Sequence, residues 1–318
     1  MFRTCSIGAA VIILTLSIGG GTPPGAVRAA AAASISQSRS DPISDLLEVP
    51  VSTCDAASGF DDAARRNGDS VRTMSWSPFG RAEKGWAIYA PHVARAIGTH
   101  CAPESTGFAA ALARWQVRRG FTGDGRTDVA TLMSMKGEWQ AARPYVALRA
   151  SGVCPAPPAS TGLTRLSAEE GYLGKSVEVR SDVARAYRRM LIAAKAELPE
   201  LAEDPQLLRV FSGYRSPAYD DARCARDGNC GGVVRAKCSV HRTGQALDLV
   251  VGAAPGFSVD SSADANRLHQ SQGRAYRWLL ANAERFGFVN YSFEPWHWEW
   301  IGDGARPDTP QMQQVANR

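Results

Sequence analysis

Histidine is scarce, with 5 among 318 residues, and three of the five, His92, His100 and His269, lie outside any motif. Only two of the five, His241 and His297, are assigned to a candidate metal site. Long apolar runs are also missing. The stretch from Ile7 to Ile18 is too short, and too soon broken by Gly19-Gly20-Gly21 and Pro23-Pro24, to make a membrane span of about 20 residues. Charge of one sign is not in excess: the formal net charge is +5, dispersed and without a basic patch interleaved with aromatics, which argues against nucleic acid as a partner. The cysteines lack the C-x2-C spacing of structural zinc, which speaks against a second metal site at Cys224, Cys230 and Cys238.

What is present fits a globular chain of about two domains, with 44% hydrophobic residues. The start reads as an export signal over residues 1–33. Arg3 gives a positive beginning, the apolar run follows, and the alanine-rich stretch Ala26 to Ala33 offers small-residue cleavage sites. No stable membrane span is expected after cleavage. Residues 34–53, rich in Ser, Asp and Ala without periodicity, read as a disordered lead. Removing Cys5 with the signal leaves Cys54, Cys101, Cys154, Cys224, Cys230 and Cys238, an even set in an exported chain, so disulfides are expected. If each domain closes its own bridges, Cys54 pairs with Cys101 and the other four pair among themselves; sequence alone leaves all 15 connectivities open.

Short helical patterns follow: Pro91 to Ile97, then Phe108 to Arg119 with Phe108, Leu112 and Trp115 at helical spacing, then Asp128 to Met135. Trp115, Phe121 and Leu132 are the expected core of a small helical domain at 54–150. Cys154-Pro-Ala-Pro-Pro158 then marks a linker at 151–162. In the domain at 163–305, Ser181 is the expected N-cap of a helix with Val183, Tyr187, Met190, Leu191, Ala194 and Leu198 on one face, ended by Pro199. Leu207 to Phe211 and Ala246 to Val251 read as strands, and Gln272 to Phe286 as a helix closed by Gly287. Residues 306–318 form a tail. In the strand from Ala246, alternation sets Asp248 with Ala246 and Val250, a carboxylate in an apolar strand. Such a group is expensive to bury unless paired or metal-bound. In the last strand His297 and Glu299 share one face, and Trp296, Trp298 and Trp300 the other, as core.

Three islands carry the chemistry: Phe211-Ser-Gly-Tyr-Arg-Ser216, Ser239-Val-His-Arg-Thr-Gly-Gln-Ala-Leu-Asp248 and Glu294-Pro-Trp-His-Trp-Glu-Trp300. Catalytic zinc takes three protein ligands from His, Asp and Glu and keeps a further position open. His241, Asp248 and His297 supply such a set, and Glu294 is a carboxylate near enough to act as base. The plain alternatives are hydrogen-bonded core histidines, a buried salt-bridge partner at Asp248 and a loop-supporting role for Glu294. Gly244 allows a sharp bend between His241 and the Asp248 strand.

The islands resemble, letter for letter, the S-G-Y-R-S, S-x-H-x-x-G-x-A-x-D and E-P-W-H pattern of the zinc D-alanyl-D-alanine carboxypeptidases of the vancomycin-resistance type. The resemblance implies an α+β fold, with helices packed on a small antiparallel sheet around a Zn2+ site, preceded by a small helical domain. It implies hydrolysis of peptidoglycan stem peptides in the periplasm or cell wall, with Glu294 moving the proton and Arg215 facing a substrate carboxylate or oxyanion. Substrate contacts are expected from Ser239, Tyr214 and Asp220, although Ser239 also suits a turn cap and Tyr214 a packed ring. Asp220 stands where the family often has Gln, and Arg242 replaces a usual Gln, so substrate choice stays open between D,D-carboxypeptidase, L,D-carboxypeptidase and cross-link endopeptidase. A non-catalytic wall-binding protein is the alternative from another class. The helix ending at Trp115-Gln116, the Gly120-Phe121 turn and the helix around Leu132 are similar to part of a peptidoglycan-binding module.

Overall fold

In the computed structural model the chain is described over residues 53–303, apart from 144, 147–149, 151, 153, 229 and 231–237. The expected export signal, nearly all of the lead and the C-terminal tail lie outside the described residues. The N-terminal segment runs α1 (Asp61–Thr73), a short hairpin of β1 (Ser75–Trp76) and β2 (Glu83–Lys84), α2 (Ala90–Ile97), α3 (Thr106–Arg118) and α4 (Val129–Ala141). Helix starts follow local chemistry. Ser105 Oγ accepts the Phe108 N–H ahead of α3, and Asp128 Oδ1 accepts the Thr131 N–H ahead of α4. Asp128, expected as the first helical residue, is the cap. Gln116 then reaches back across the turn after α3, donating to the Arg126 carbonyl and accepting the Gly125 N–H. Trp86, Phe108, Leu112, Trp115 and Leu132 form the buried centre, with Phe121 stacked on Trp115; these aromatics are core.

The following region begins with a hairpin of β3 (Leu163–Arg165) and β4 (Glu178–Arg180), then α5 (Ser181–Glu197) and a single turn α6 (Glu200–Glu203). Val183, Tyr187, Met190 and Ala194 form the buried stripe of α5, as their spacing predicts. Ser181 is the first helical residue and not the cap; its hydroxyl donates to the Gly162 carbonyl and accepts from Thr164 instead. Next come β5 (Val210–Ser212), α7 (Pro217–Arg226), β6 (Ala246–Leu249), α8 (Asp264–Gln272), α9 (Arg274–Asn282), β7 (Phe288–Asn290) and β8 (His297–Trp300). β5 starts three residues later than the apolar run suggests, because Leu208 takes a left-handed φ of +63°. The expected helix from Gln272 to Phe286 is α9 alone, begun after an extended Gly273 and finished by a tight turn at Ala283–Phe286. α8 has no apolar stripe for sequence periodicity to detect: its buried residues are Asn266, Arg267, Gln270 and Ser271.

The antiparallel sheet has the order β5-β6-β8-β7. Leu247 and Leu249 of β6, with Trp298 and Trp300 of β8, face a core shared with Val183, Tyr187, Met190 and Leu279. Each such side chain contributes roughly 1.5–3 kcal/mol by leaving water. The same alternation sends Ala246, Asp248, His297 and Glu299 to the opposite face, since Asp248 pairs with His297 and Ala246 with Glu299 across the β6–β8 ladder. An α+β architecture of helices and small antiparallel sheets is thus what the chain adopts.

Buried polar groups join the N-terminal segment to this region. Arg267 is fully buried, donating to Glu83 at 3.0 Å, the Tyr89 hydroxyl at 2.6 Å and the Phe293 carbonyl at 2.8 Å. The six cysteines pair as Cys54–Cys101, Cys154–Cys238 and Cys224–Cys230. The division between Cys54–Cys101 and the remaining four is as expected, and the bridges leave no thiolates for a second zinc site at Cys224, Cys230 and Cys238. Among the described residues no helix is long and apolar enough to cross a membrane.

Candidate metal centre

His241 sits in a tight turn (Val240–Thr243) whose entrance is capped by Ser239 Oγ accepting the His241 N–H. Gly244 closes the turn at φ +68°, where a Cβ would press on Arg180 at 3.0 Å. β6 then carries Asp248 opposite His297. The result is that Nε2 of His241, Oδ1 of Asp248 and Nδ1 of His297 converge, with separations of 3.3 Å, 2.9 Å and 3.3 Å, all three side chains buried. A tetrahedral zinc with ligands at 2.0–2.1 Å has donor-to-donor edges of about 3.3 Å. The donor set and its spacing fit the ion.

The outer partners fix which nitrogen faces inward. Nδ1–H of His241 donates to the Gly213 carbonyl at 2.6 Å, leaving Nε2 as the atom free to ligate. Nε2–H of His297 donates to Oε1 of Glu299 at 3.3 Å, leaving Nδ1. Asp248 Oδ2 accepts from Nη2 of Arg215 at 2.8 Å, and Arg215 Nε also donates to Ser212 Oγ. Burial, reinforced by Arg215, pushes His241 down to about 4, so it is neutral and ready to ligate. Burial would raise Asp248, but His241, His297 and Arg215 outweigh it and hold the carboxyl well below its usual range. Burial would lower His297, yet Asp248 and Glu299 raise it to about 9; without a metal the ring shares its proton with Asp248.

Glu294 lies on the turn before β8, with Oε2 at 4.0 Å from His297 Nδ1. Burial, with Asp248 close by, raises it to about 7, the range in which a carboxylate accepts and returns a proton. Arg215, Asp220 and Ser239 line the same cleft of about 710 Å³, as do the three candidate ligands and Glu294. Asp220 is buried and raised by that burial, with Arg215 Nη1 at 3.8 Å. Tyr214 is half-buried with its N–H on the Glu178 carbonyl, and is not among the cleft-lining residues. Arg242 turns away from the ligands, toward Cys154 and Asp221.

Glu299 and Arg143 escape the motif reading. Glu299 shows its face in the alternation of the last strand, but Arg143 carries no local signal. The N-terminal segment also supplies Phe79, Lys136 and Gln140 to the cleft wall.

Residues 176–303 match the family model described as VanY: D-alanyl-D-alanine carboxypeptidase, and this segment holds all three candidate ligands and Glu294. Solved structures similar to the chain include the following two. One is the LdcB LD-carboxypeptidase, in a study of peptidoglycan recognition, at 22% identity over 48% of this chain and 73% of that one, with a TM-score of 0.35. The other is a variant of the vancomycin-resistance D,D-pentapeptidase VanY in complex with Zn(II), at 22% identity over 46% and 83%, with a TM-score of 0.28. No curated protein matches the chain.

Proposed function

We propose that the protein is an exported zinc carboxypeptidase that releases the terminal D-alanine from peptidoglycan stem peptides ending in D-Ala-D-Ala. The observation that carries this reading is the buried His241, Asp248 and His297 set at zinc-like spacing, with Glu294 beside it, inside the segment that matches the carboxypeptidase family. Three disulfides support an oxidising compartment such as the periplasm or cell wall. The same proposal divides the chain into a helical segment at 54–150, a linker at 151–162 and a catalytic domain at 163–305.

His241, Asp248 and His297 would hold the ion, which when bound would supply a Lewis acid and make water nucleophilic near neutral pH. Glu294 takes the proton of the attacking water at Oε2 and returns it to the leaving amine. Arg215 stabilises negative charge developing on the scissile carbonyl oxygen. Ser239 and Asp220, on the cleft wall, orient the end of the peptide. Tyr214 supports the Arg215 turn through its backbone N–H on the Glu178 carbonyl.

The test is mass spectrometry of stem peptides ending in D-Ala-D-Ala or in one D-Ala, and of cross-linked dimers, after incubation with the mature protein and with Glu294→Gln. Loss of one alanine from the pentapeptide by the native form alone is the expected result. Cleavage confined to the tetrapeptide or the dimer would move the specificity to L,D-carboxypeptidase or endopeptidase. No cleavage of any substrate by zinc-loaded, folded protein would sink the enzymatic reading in favour of a wall-binding role.

A further inference from the structure

The domain that carries the candidate ligands does not carry everything that orients them. Glu299, two residues beyond His297 on β8, is 1% exposed. Its Oε1 receives Nε2–H of His297 at 3.3 Å, Nε–H of Arg143 at 2.9 Å, and Nη2–H of the same arginine. Arg143 comes just after α4, well before the family match begins at residue 176. It is 7% exposed, donates to Gln140 Oε1 at 2.6 Å, and places its guanidinium 3.9 Å from the centre of the Tyr291 ring.

A pair buried this deeply is weak evidence for stability, because desolvating two charges offsets their attraction. An apolar pair of similar volume would serve the core as well. The fork of Arg143 does something an apolar pair cannot: it pins Glu299 as an acceptor under His297, so Nε2 must carry the hydrogen and Nδ1 must face Asp248 and His241. Carboxylates placed behind metal-binding histidines in this way set both ring orientation and ligand strength.

Two other ties from the N-terminal segment reach the same stretch. Nε2–H of His92 donates to Asn290 Oδ1 at 3.0 Å, and Asn290 Nδ2 in turn donates to the His297 carbonyl at 2.9 Å. Arg267, held by Glu83 and Tyr89, donates to the carbonyl of Phe293, next to Glu294. Glu83, His92 and Arg143 therefore converge on residues 290–299.

We propose that the N-terminal helical segment is a positioning part of the metal centre, with Arg143 acting through Glu299 to orient His297 as a ligand. The carboxypeptidase-like domain would then be incomplete on its own. The inference rests on the zinc reading of the site above, but not on the choice of substrate.

The experiment measures zinc affinity of the full mature chain by competition with a chromophoric chelator, alongside kcat and KM on the stem pentapeptide. Arg143→Met and Glu299→Gln should each weaken zinc binding by about 10–100-fold and lower kcat with KM little changed. The double variant should lose no more than the worse single one, and Arg143→Lys should recover part of the loss. Native zinc affinity in folded Arg143→Met, or losses that simply add in the double variant, would overturn the proposal. Should Arg143→Met fail to fold, Arg143→Lys with fully native affinity and kcat would overturn it equally. Because metal affinity is the readout, absence of stem-peptide cleavage would count against the substrate reading and not against this one.

Discussion

Arg215 and Asp248 are joined at 2.8 Å, Nη2 to Oδ2, which commits one carboxylate oxygen to the arginine and leaves the other, Oδ1, between the two histidines. The arginine that borders the cleft is thus also the group that aims a candidate ligand. Arg215→Ala should therefore fail in two ways. It should lower kcat by roughly 10²–10³-fold, the usual cost of a lost oxyanion partner, and weaken zinc binding about 10-fold or more through Asp248. Steady-state kinetics with saturating zinc separates the two, because only the second loss is repaired by added metal. A fall in activity fully restored by zinc would remove the oxyanion role.

Glu294 should show opposite effects on turnover and on fold. Its folded pKa stands at about 7 against an ordinary 4.5, so the fold favours its protonated form. That contribution is fully present below pH 4.5 and is lost as pH rises through 7. At pH 8, Glu294→Gln should abolish turnover, retain zinc and stabilise the metal-free protein by up to about 3 kcal/mol. Denaturant unfolding with and without chelator reads this directly; a less stable variant at pH 8 would contradict it.

The pH profile of kcat/KM should follow the same group. Glu294 must be ionised to accept a proton, so activity should decline as pH falls through the region at or just below 7, a bound cation shifting the limb to lower pH. An acid limb above pH 8 would assign the titration to another group.

Zinc uptake should release a proton. His297 is raised to about 9 in the metal-free site and is protonated at pH 7, whereas a ligating ring is neutral at the bound nitrogen. Calorimetric titration of apoprotein in buffers of different ionisation heat should give between about 1 and 1.5 protons released per zinc at pH 7, one from His297 and up to half of one from Glu294, before any contribution from bound water. Net proton uptake would count against this ligand set.

The Cys154–Cys238 bridge ends one residue before Ser239, whose hydroxyl caps the His241 turn. Replacing both cysteines by serine should cost about 2–4 kcal/mol. It should also weaken zinc binding more than the equivalent change at Cys54 and Cys101, which lie far from the ligands in sequence. Equal effects of the two double variants on zinc affinity would show that the bridge does not brace the turn.

Much of the candidate site's geometry was legible because its chemistry is local. The spacing of Ser239, His241, Gly244 and Asp248 encodes a capped turn, a bend and a strand, and Glu294 to His297 encodes one turn and a strand entry. The fold was legible where apolar periodicity was strong, as in α5 and α3. α8 was not, because it buries Asn266, Arg267 and Gln270 against polar partners, and no hydrophobic stripe announces it. Arg143 was invisible for a different reason: its partner lies 156 residues away, and no short-range pattern specifies a contact at that distance. Asp220 and Tyr214 look alike as motif neighbours of Arg215, yet only Asp220 lines the cleft.

Asp248 and His297 face each other as direct partners on the antiparallel strands β6 and β8. Their closeness is thus set by strand register and not by the chain between them. A shift of one residue would turn one ligand toward the tryptophan side of the sheet and dismantle the metal set at once. On the proposed zinc reading, ion loading would therefore report on the fold itself: a chain that holds the ion has paired its central strands correctly.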